Sequence, residues 1–270
     1  MGPRQKANTG DFPYWLVFAA GIAVAAAVAI ASSGLYAQVF ATVIKGLGLT
    51  VTVTLISFAL ASALGLGIAL MGLSGSIVVR QTARFYVEVI RGIPVLVLLF
   101  WIAFAGAPAL VAGWNFLTRP LQDAGLLGAF QIRDVSLLSR AIIALTIAYS
   151  AFLAEIFRAG IQAVEPGQIE AAKALGLGRY RRFRHIVWPQ AFRTILPPYG
   201  NDFVSMVKDS SLVSVLGVAD ITQMAKIYAA GSFRFFETYS IVAYIYLILT
   251  IGLSLALRAL ENRLRKEVRA

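Results

Sequence analysis

Apolar runs of membrane-spanning length recur along this chain and limit what it can fold into. A helix needs about 20 such residues to cross the hydrocarbon. Tyr14 to Ala31, Gly46 to about Leu70, and Thr238 to Leu257 carry no charge at all. Three more candidates run from about Phe85 to Ala105, Ser139 to Phe157, and Ile186 to Leu216. The run from Ile186, fifth along the chain, is the least regular, interrupted by Pro189, Pro197-Pro198, Asp202 and Lys208-Asp209. Only 14% of residues are charged, mean hydropathy is +0.77, and a soluble domain would carry about 25% charge. The expected fold class is an all-α membrane protein with about six transmembrane helices.

Six spans put both termini on one side. With the termini inside, most of the 24 Lys and Arg fall in cytosolic segments. These are the N-terminal Arg4 and Lys6, a group from Arg80 to Arg91, a dense group from Arg158 to Arg193, and a tail from Arg258 to Arg269. That asymmetry follows the positive-inside rule and accounts for the net charge of +11 without nucleic acid. The basic start followed by an apolar run and Ala29-Ile30-Ala31 resembles a signal peptide. Its apolar run exceeds a usual signal core, so an uncleaved first span is expected. The segment from about Gly106 to Leu138 reads as an external loop, too polar to span.

Cysteine is absent, which removes disulfides, thiolate metal sites and cysteine nucleophiles. His185 is the sole histidine and lies in an arginine-rich loop, so neither a metal site nor a catalytic constellation is expected. Gly46-Leu47-Gly48 and Gly65-Leu66-Gly67 lack the strand-to-helix context of a nucleotide loop and suit close helix packing. No Gly-x4-Gly-Lys-Ser/Thr motif is present. If ATP drives the protein, another chain must bind it.

One basic stretch departs from the spans. Glu165-Pro166-Gly167-Gln168-Ile169-Glu170-Ala171-Ala172-Lys173-Ala174-Leu175-Gly176 reads as a short helix. Pro166 suits its first turn, and Gly176 can stop it in the left-handed conformation. Read by itself, this is an ordinary amphipathic loop helix in a positive-inside charge run, or a docking element for a soluble partner.

The order and spacing carry a resemblance. Glu170-Ala171-Ala172, then Gly176, Ile186 and Trp188-Pro189 are similar to the signature of the membrane subunits of ATP-binding-cassette importers that work with a substrate-binding protein. Trp188 stands where that signature has Leu. Arg91-Gly92-Ile93-Pro94 resembles the Arg-Gly-Thr-Pro segment of the polar amino-acid branch, with Ile93 for Thr, and Leu98 stands where many members have Gln. Ala154 to Arg158, Leu196 to Phe203 and Lys208 to Val215 also look like that branch. The match runs in order over about residues 40 to 265.

The resemblance implies a five-helix importer permease core plus one N-terminal helix. It divides the chain into 1–35 (tail and extra helix), 36–262 (transmembrane domain with a coupling loop at 158–193) and 263–270 (cytosolic tail). It implies that Glu170, Ala171, Ala172 and Gly176 contact an ATPase subunit dimer, which binds the ATP and Mg. It further implies a second permease subunit, either another copy or a paralogue, a periplasmic or lipid-anchored binding protein, and a polar amino acid as cargo. Arg179, Arg181, Arg182 and Arg184 suit acidic partner residues or anionic lipid headgroups. The protein would lie in the cell inner (cytoplasmic) membrane as a transport subunit, not an enzyme.

Charges inside a membrane usually face a cavity or a partner. Asn201, Asp202, Lys208, Asp209 and Ser210 are therefore candidate pathway residues, offering donors and acceptors to a zwitterion. The alternative is a structural ion pair or a span end. Pro197-Pro198 and Gly200 point to a broken helix. Glu155 is either a further pathway group or a helix-face partner of Arg158. Rival functions are a proton-linked secondary transporter using Glu155 and Asp202, and a membrane enzyme, for which no convincing nucleophile is present.

Overall fold

The computed structural model describes residues 14–266, with side chains to residue 264. Arg4, Lys6 and Arg269 lie outside the described residues, as do the side chains of Arg265 and Lys266. Among the described residues every regular element is helical. The helices are α1 (Tyr14–Ser32), α2 (Gly34–Val43), α3 (Leu47–Gly72), α4 (Ile77–Gly92), α5 (Val95–Trp101), α6 (Ala107–Asp123), α7 (Leu137–Gln162), α8 (Pro166–Ala174), α9 (Arg179–Arg182), α10 (Trp188–Asp209), α11 (Ile221–Ser232) and α12 (Phe235–Lys266). Five helical segments are long and apolar enough to span: Tyr14–Ser32, Gly34–Gly72, Val95–Asp123, Leu137–Gln162 and Phe235–Leu264. Arg179–Leu216 and Ile221–Ser232, bent by 48° between them, add a sixth if the pair is counted as one span.

The centre is the α3–α7 pair. Small residues make it possible: a Cβ at Gly65 would lie 2.8 Å from the Ser150 carbonyl oxygen, so the two backbones approach as only glycine allows. Ala141, Ala144, Ala148 and Ala151 continue the small-residue face of α7 and are buried. Leu145 and Leu153 fill the space against Val53, Phe58 and Ala61 of α3. The close-packing reading of the glycines holds for Gly65 and for Gly46, whose Cβ would overlap the Asp220 backbone, whereas Gly48 and Gly67 meet nothing. In contrast, α1 buries none of its residues and rests on α2 and α12.

The third span differs from the sequence expectation. Ile93 is extended (φ −101°, ψ 129°) before Pro94, as the steric clash before proline requires. Arg80, Arg84, Glu88 and Arg91 therefore sit on α4, a separate amphipathic helix. The apolar helix starts at Val95 and continues through Gly106 to Asp123, through much of the expected external loop. Several of its polar groups are satisfied locally. Asn115 receives the Phe130 N–H at 2.9 Å, donates to the Phe130 carbonyl at 2.7 Å, and takes a bond from Gln122 at 3.1 Å.

The expected break at Pro197-Pro198 is also displaced. α10 runs unbroken through both prolines; the chain turns later, through the 3-10 segment Ser210–Leu216 and Gly217 at φ 81°. Asp220 then starts α11 by accepting the Gln223 N–H at 2.9 Å, which supplies an orphan donor of the new helix with its partner. Wide π-turns at Ile102–Gly106 and Phe183–Val187 each end directly before an X-Pro step, Ala107-Pro108 and Trp188-Pro189. The missing proline N–H is accommodated there by a local adjustment of the ladder.

Candidate functional site

α8 forms as its sequence dictates. Pro166 occupies the first turn. At the other end Gly176 adopts φ 74°, its N–H bonds to the Lys173 carbonyl at 2.9 Å, and the Leu177 N–H bonds to that of Ala172 at 3.0 Å. These two bonds make a Schellman stop. One face of the helix is fixed to its own chain. Ala172 is 2% exposed, and Ile169 packs on the cluster of Val164, Ala191 and Ile195. Gln190 Nε2 donates to Gln168 Oε1 at 2.6 Å. The other face is free: Glu170 and Ala171 are exposed, as is Leu175 at its C-terminal end.

Of the four expected coupling residues, Glu170 and Ala171 thus face outward, Gly176 shapes the helix end, and Ala172 is buried. Beneath that mount, α7 and α10 are themselves locked. A Cβ on Gly160 would overlap the Ile195 side chain. α8 is thus tied to α10 through Ile169 and Gln168, and α10 in turn to α7. Trp188 is not part of this mount. Its ring stands between Phe183 (centroids 6.1 Å apart) and Phe192 (5.4 Å), and it is not among the residues of the Val164–Ala191–Ile195 cluster.

A charge network lies at the same end of the bundle. Glu155 pairs with Arg158 at 2.8 Å on its own helix and with Arg91 of α4 at 2.8 Å. The Arg91 guanidinium also lies 5.4 Å from the centre of the Phe152 ring, within cation–π range. The helix-face pair was readable from spacing; the cross-helix bond to Arg91, 64 residues away, was not.

The pathway candidates divide. Asp202 and Asp209 are seven residues apart and so lie within ~20° on one face of α10. Asp209 accepts the Tyr149 hydroxyl of α7 at 2.8 Å. Asp202 is half-buried, and its Oδ2 has no hydrogen-bond partner. Ser210 is buried and donates back to the Val207 carbonyl at 2.7 Å. Asn201 is exposed. Lys208 is exposed in a different groove, beside Trp15 of α1 and Thr250 and Ser254 of α12. The single zwitterion-binding cluster expected from sequence is therefore not assembled within this chain. Among the described residues the ion pairs are Arg91–Glu155, Arg158–Glu155 and Arg234–Glu237, so Lys208 pairs with neither aspartate.

Sequence reasoning missed Tyr149 and Asp220. Asp220 is fully buried and accepts from Tyr246 at 3.4 Å, while Thr50 takes the Ile221 N–H at 3.2 Å. The pattern Asp220-Ile221-Thr222-Gln223 after Gly217 was the available signal for a helix start. Among the described residues, no group of three or more His, Cys, Asp or Glu converges to hold a metal.

A bundle with five or six spans and one short exposed helix fixed to two of them defines a membrane component that meets something outside the membrane. The chain belongs to the family of binding-protein-dependent transport system inner membrane components, whose model matches residues 61–266. It is 34% identical over 230 residues to the probable amino-acid permease protein YxeN of Bacillus subtilis, covering 85% of this chain and 94% of that one. The glutamine transport system permease protein GlnP of Escherichia coli is 34% identical over 213 residues, 73% of this chain and 88% of that one. A crystal structure of an amino acid ABC transporter with histidines superposes with a TM-score of 0.69 at 38% identity, over 87% of this chain and 98% of that chain. The all-helical permease fold and the inner-membrane transport role expected from sequence both stand.

Proposed function

We propose that this chain is the permease subunit of an ATP-driven importer of polar amino acids. The observation that carries the proposal is α8: its outward face presents Glu170 and Ala171, while its inward face is held to α10 through Ile169 and Gln168. Relatives named as amino-acid and glutamine permeases support the substrate class. ATP and Mg belong to a separate ATPase dimer that docks on α8. A second permease, another copy or a paralogue, completes the translocation path, and a periplasmic or lipid-anchored binding protein delivers the cargo.

The basic end carrying Arg158, Arg181, Arg182 and Arg184 faces the cytosol in this reading, as the positive-inside rule demands, and both termini are cytosolic. The translocation unit spans 36–262, with α1 an addition to it. Movement of the docked ATPase surface displaces α8. Because α8 is fixed to α7 and α10, the displacement reaches the two helices that carry Tyr149, Asp202 and Asp209. Those residues border the path, and the second subunit supplies the groups that meet the opposite end of the substrate.

The test is Glu170→Lys in the complete transporter. ATP hydrolysis should persist while uptake falls at least tenfold. Full uptake with the ATPase still bound would overturn the assignment of α8.

A further inference from the structure

A cavity of about 770 Å³ opens along the seam between α3, α7 and α10. Its walls are apolar: Leu66 and Leu70 of α3, Phe157 of α7, and Trp188, Phe192 and Leu196 of α10. Toward the middle of α3 it is lined by Ser62 and Tyr199, whose hydroxyls bond to each other at 2.9 Å. At the mouth stand Tyr180 and Arg184. Arg184 takes part in none of the ion pairs among the described residues, and Arg181 and Arg182 adjoin it in sequence.

We propose that this seam is a binding site for one anionic phospholipid of the cytosolic leaflet, an acyl chain in the cavity and the phosphodiester on Arg184. Length supports this. From Trp188 to Tyr199 α10 advances ~16 Å, which matches half of the ~30 Å hydrocarbon, or one leaflet. Tyr180 and Trp188 sit where interfacial aromatics belong. Basic pockets between helices on the cytosolic side hold anionic headgroups in general, and the volume lies within the ~300–1,000 Å³ of ligand cavities. Charge also separates the lipid from a second copy of this chain. The copy's corresponding end carries the same arginines and would repel Arg184, whereas a phosphodiester neutralises it. The proposal does not depend on which substrate is carried.

The experiment is native mass spectrometry of the complete transporter in detergent. The probes are phosphatidylglycerol, phosphatidylcholine of identical acyl chains, and glycerophosphoglycerol, which has the headgroup and no chains. One phosphatidylglycerol should be retained per permease copy in preference to phosphatidylcholine, and the chainless probe should not bind. Arg184→Gln should weaken retention about fivefold, Leu66→Trp should abolish it, and Arg179→Gln, at a position that is not among the cavity-lining residues, should leave it unchanged. Equal retention of the two lipids, an unaltered Arg184→Gln, or equal binding of the chainless probe would overturn the proposal. So would disulfide formation between Leu70→Cys residues of two copies. The chain has no cysteine of its own, so such a bond would place the second copy in the seam.

Discussion

Ala172→Leu tests how force leaves α8. Ala172 is 2% exposed, three residues on from Ile169, the α8 residue that packs on the Val164–Ala191–Ile195 cluster. Adding three carbons there overpacks a site without room, a change that costs about 1–3 kcal/mol. What holds this nine-residue helix in place is of similar size. The Gln168–Gln190 hydrogen bond contributes about 1 kcal/mol, and burial of Ile169 and Ala172 contributes a few more at most. A penalty of about 2 kcal/mol shifts the seated population roughly thirtyfold. The assay is the ratio of substrate taken up to ATP hydrolysed in proteoliposomes carrying the complete transporter. That ratio should fall at least tenfold, and hydrogen exchange should speed across α8. Lys173→Leu, on the exposed face, is the matched control and should leave α8 seated. An unchanged ratio in Ala172→Leu with α8 still protected would refute the rigid mount.

Three further outcomes are expected. Gly176→Val forces a side chain into φ 74°, which costs about 1–2 kcal/mol; hydrogen exchange should show the last turn of α8 fraying. Gly65→Leu should push α3 from α7 and lower the yield of assembled protein on size-exclusion chromatography, whereas Gly67→Ala, with nothing near its Cβ, should not. Asp202→Asn should lower uptake by the reconstituted transporter while leaving assembly intact, and unchanged substrate affinity and rate would remove Asp202 from the path.

The parts legible in sequence are those fixed by local rules. α1, α3, α7 and α12 follow from long apolar runs, and α8 follows from Pro166 and Gly176 placed at its two ends. Where non-local packing decides, the reading failed. The helix continuing past Gly106 depends on Asn115 finding the Phe130 backbone, a contact that hides its polarity from the sequence. Pro197 and Pro198 are carried within α10, because the turn is set instead by Gly217 and the buried cap Asp220. Lys208 left the expected cluster by helix geometry: it lies about 120° around α10 from Asp202, whereas Asp209 returns to the same face. Arg91 and Glu155 meet only once α4 has folded against α7.

The most direct test of the account is uptake by proteoliposomes containing this chain with its partner permease, with and without the ATPase subunit. With ATPase, ATP and binding protein present, a polar amino acid should accumulate, and an uncoupler should have no effect. Accumulation by the permease without the ATPase, collapsed by an uncoupler, would contradict the account and identify a secondary transporter.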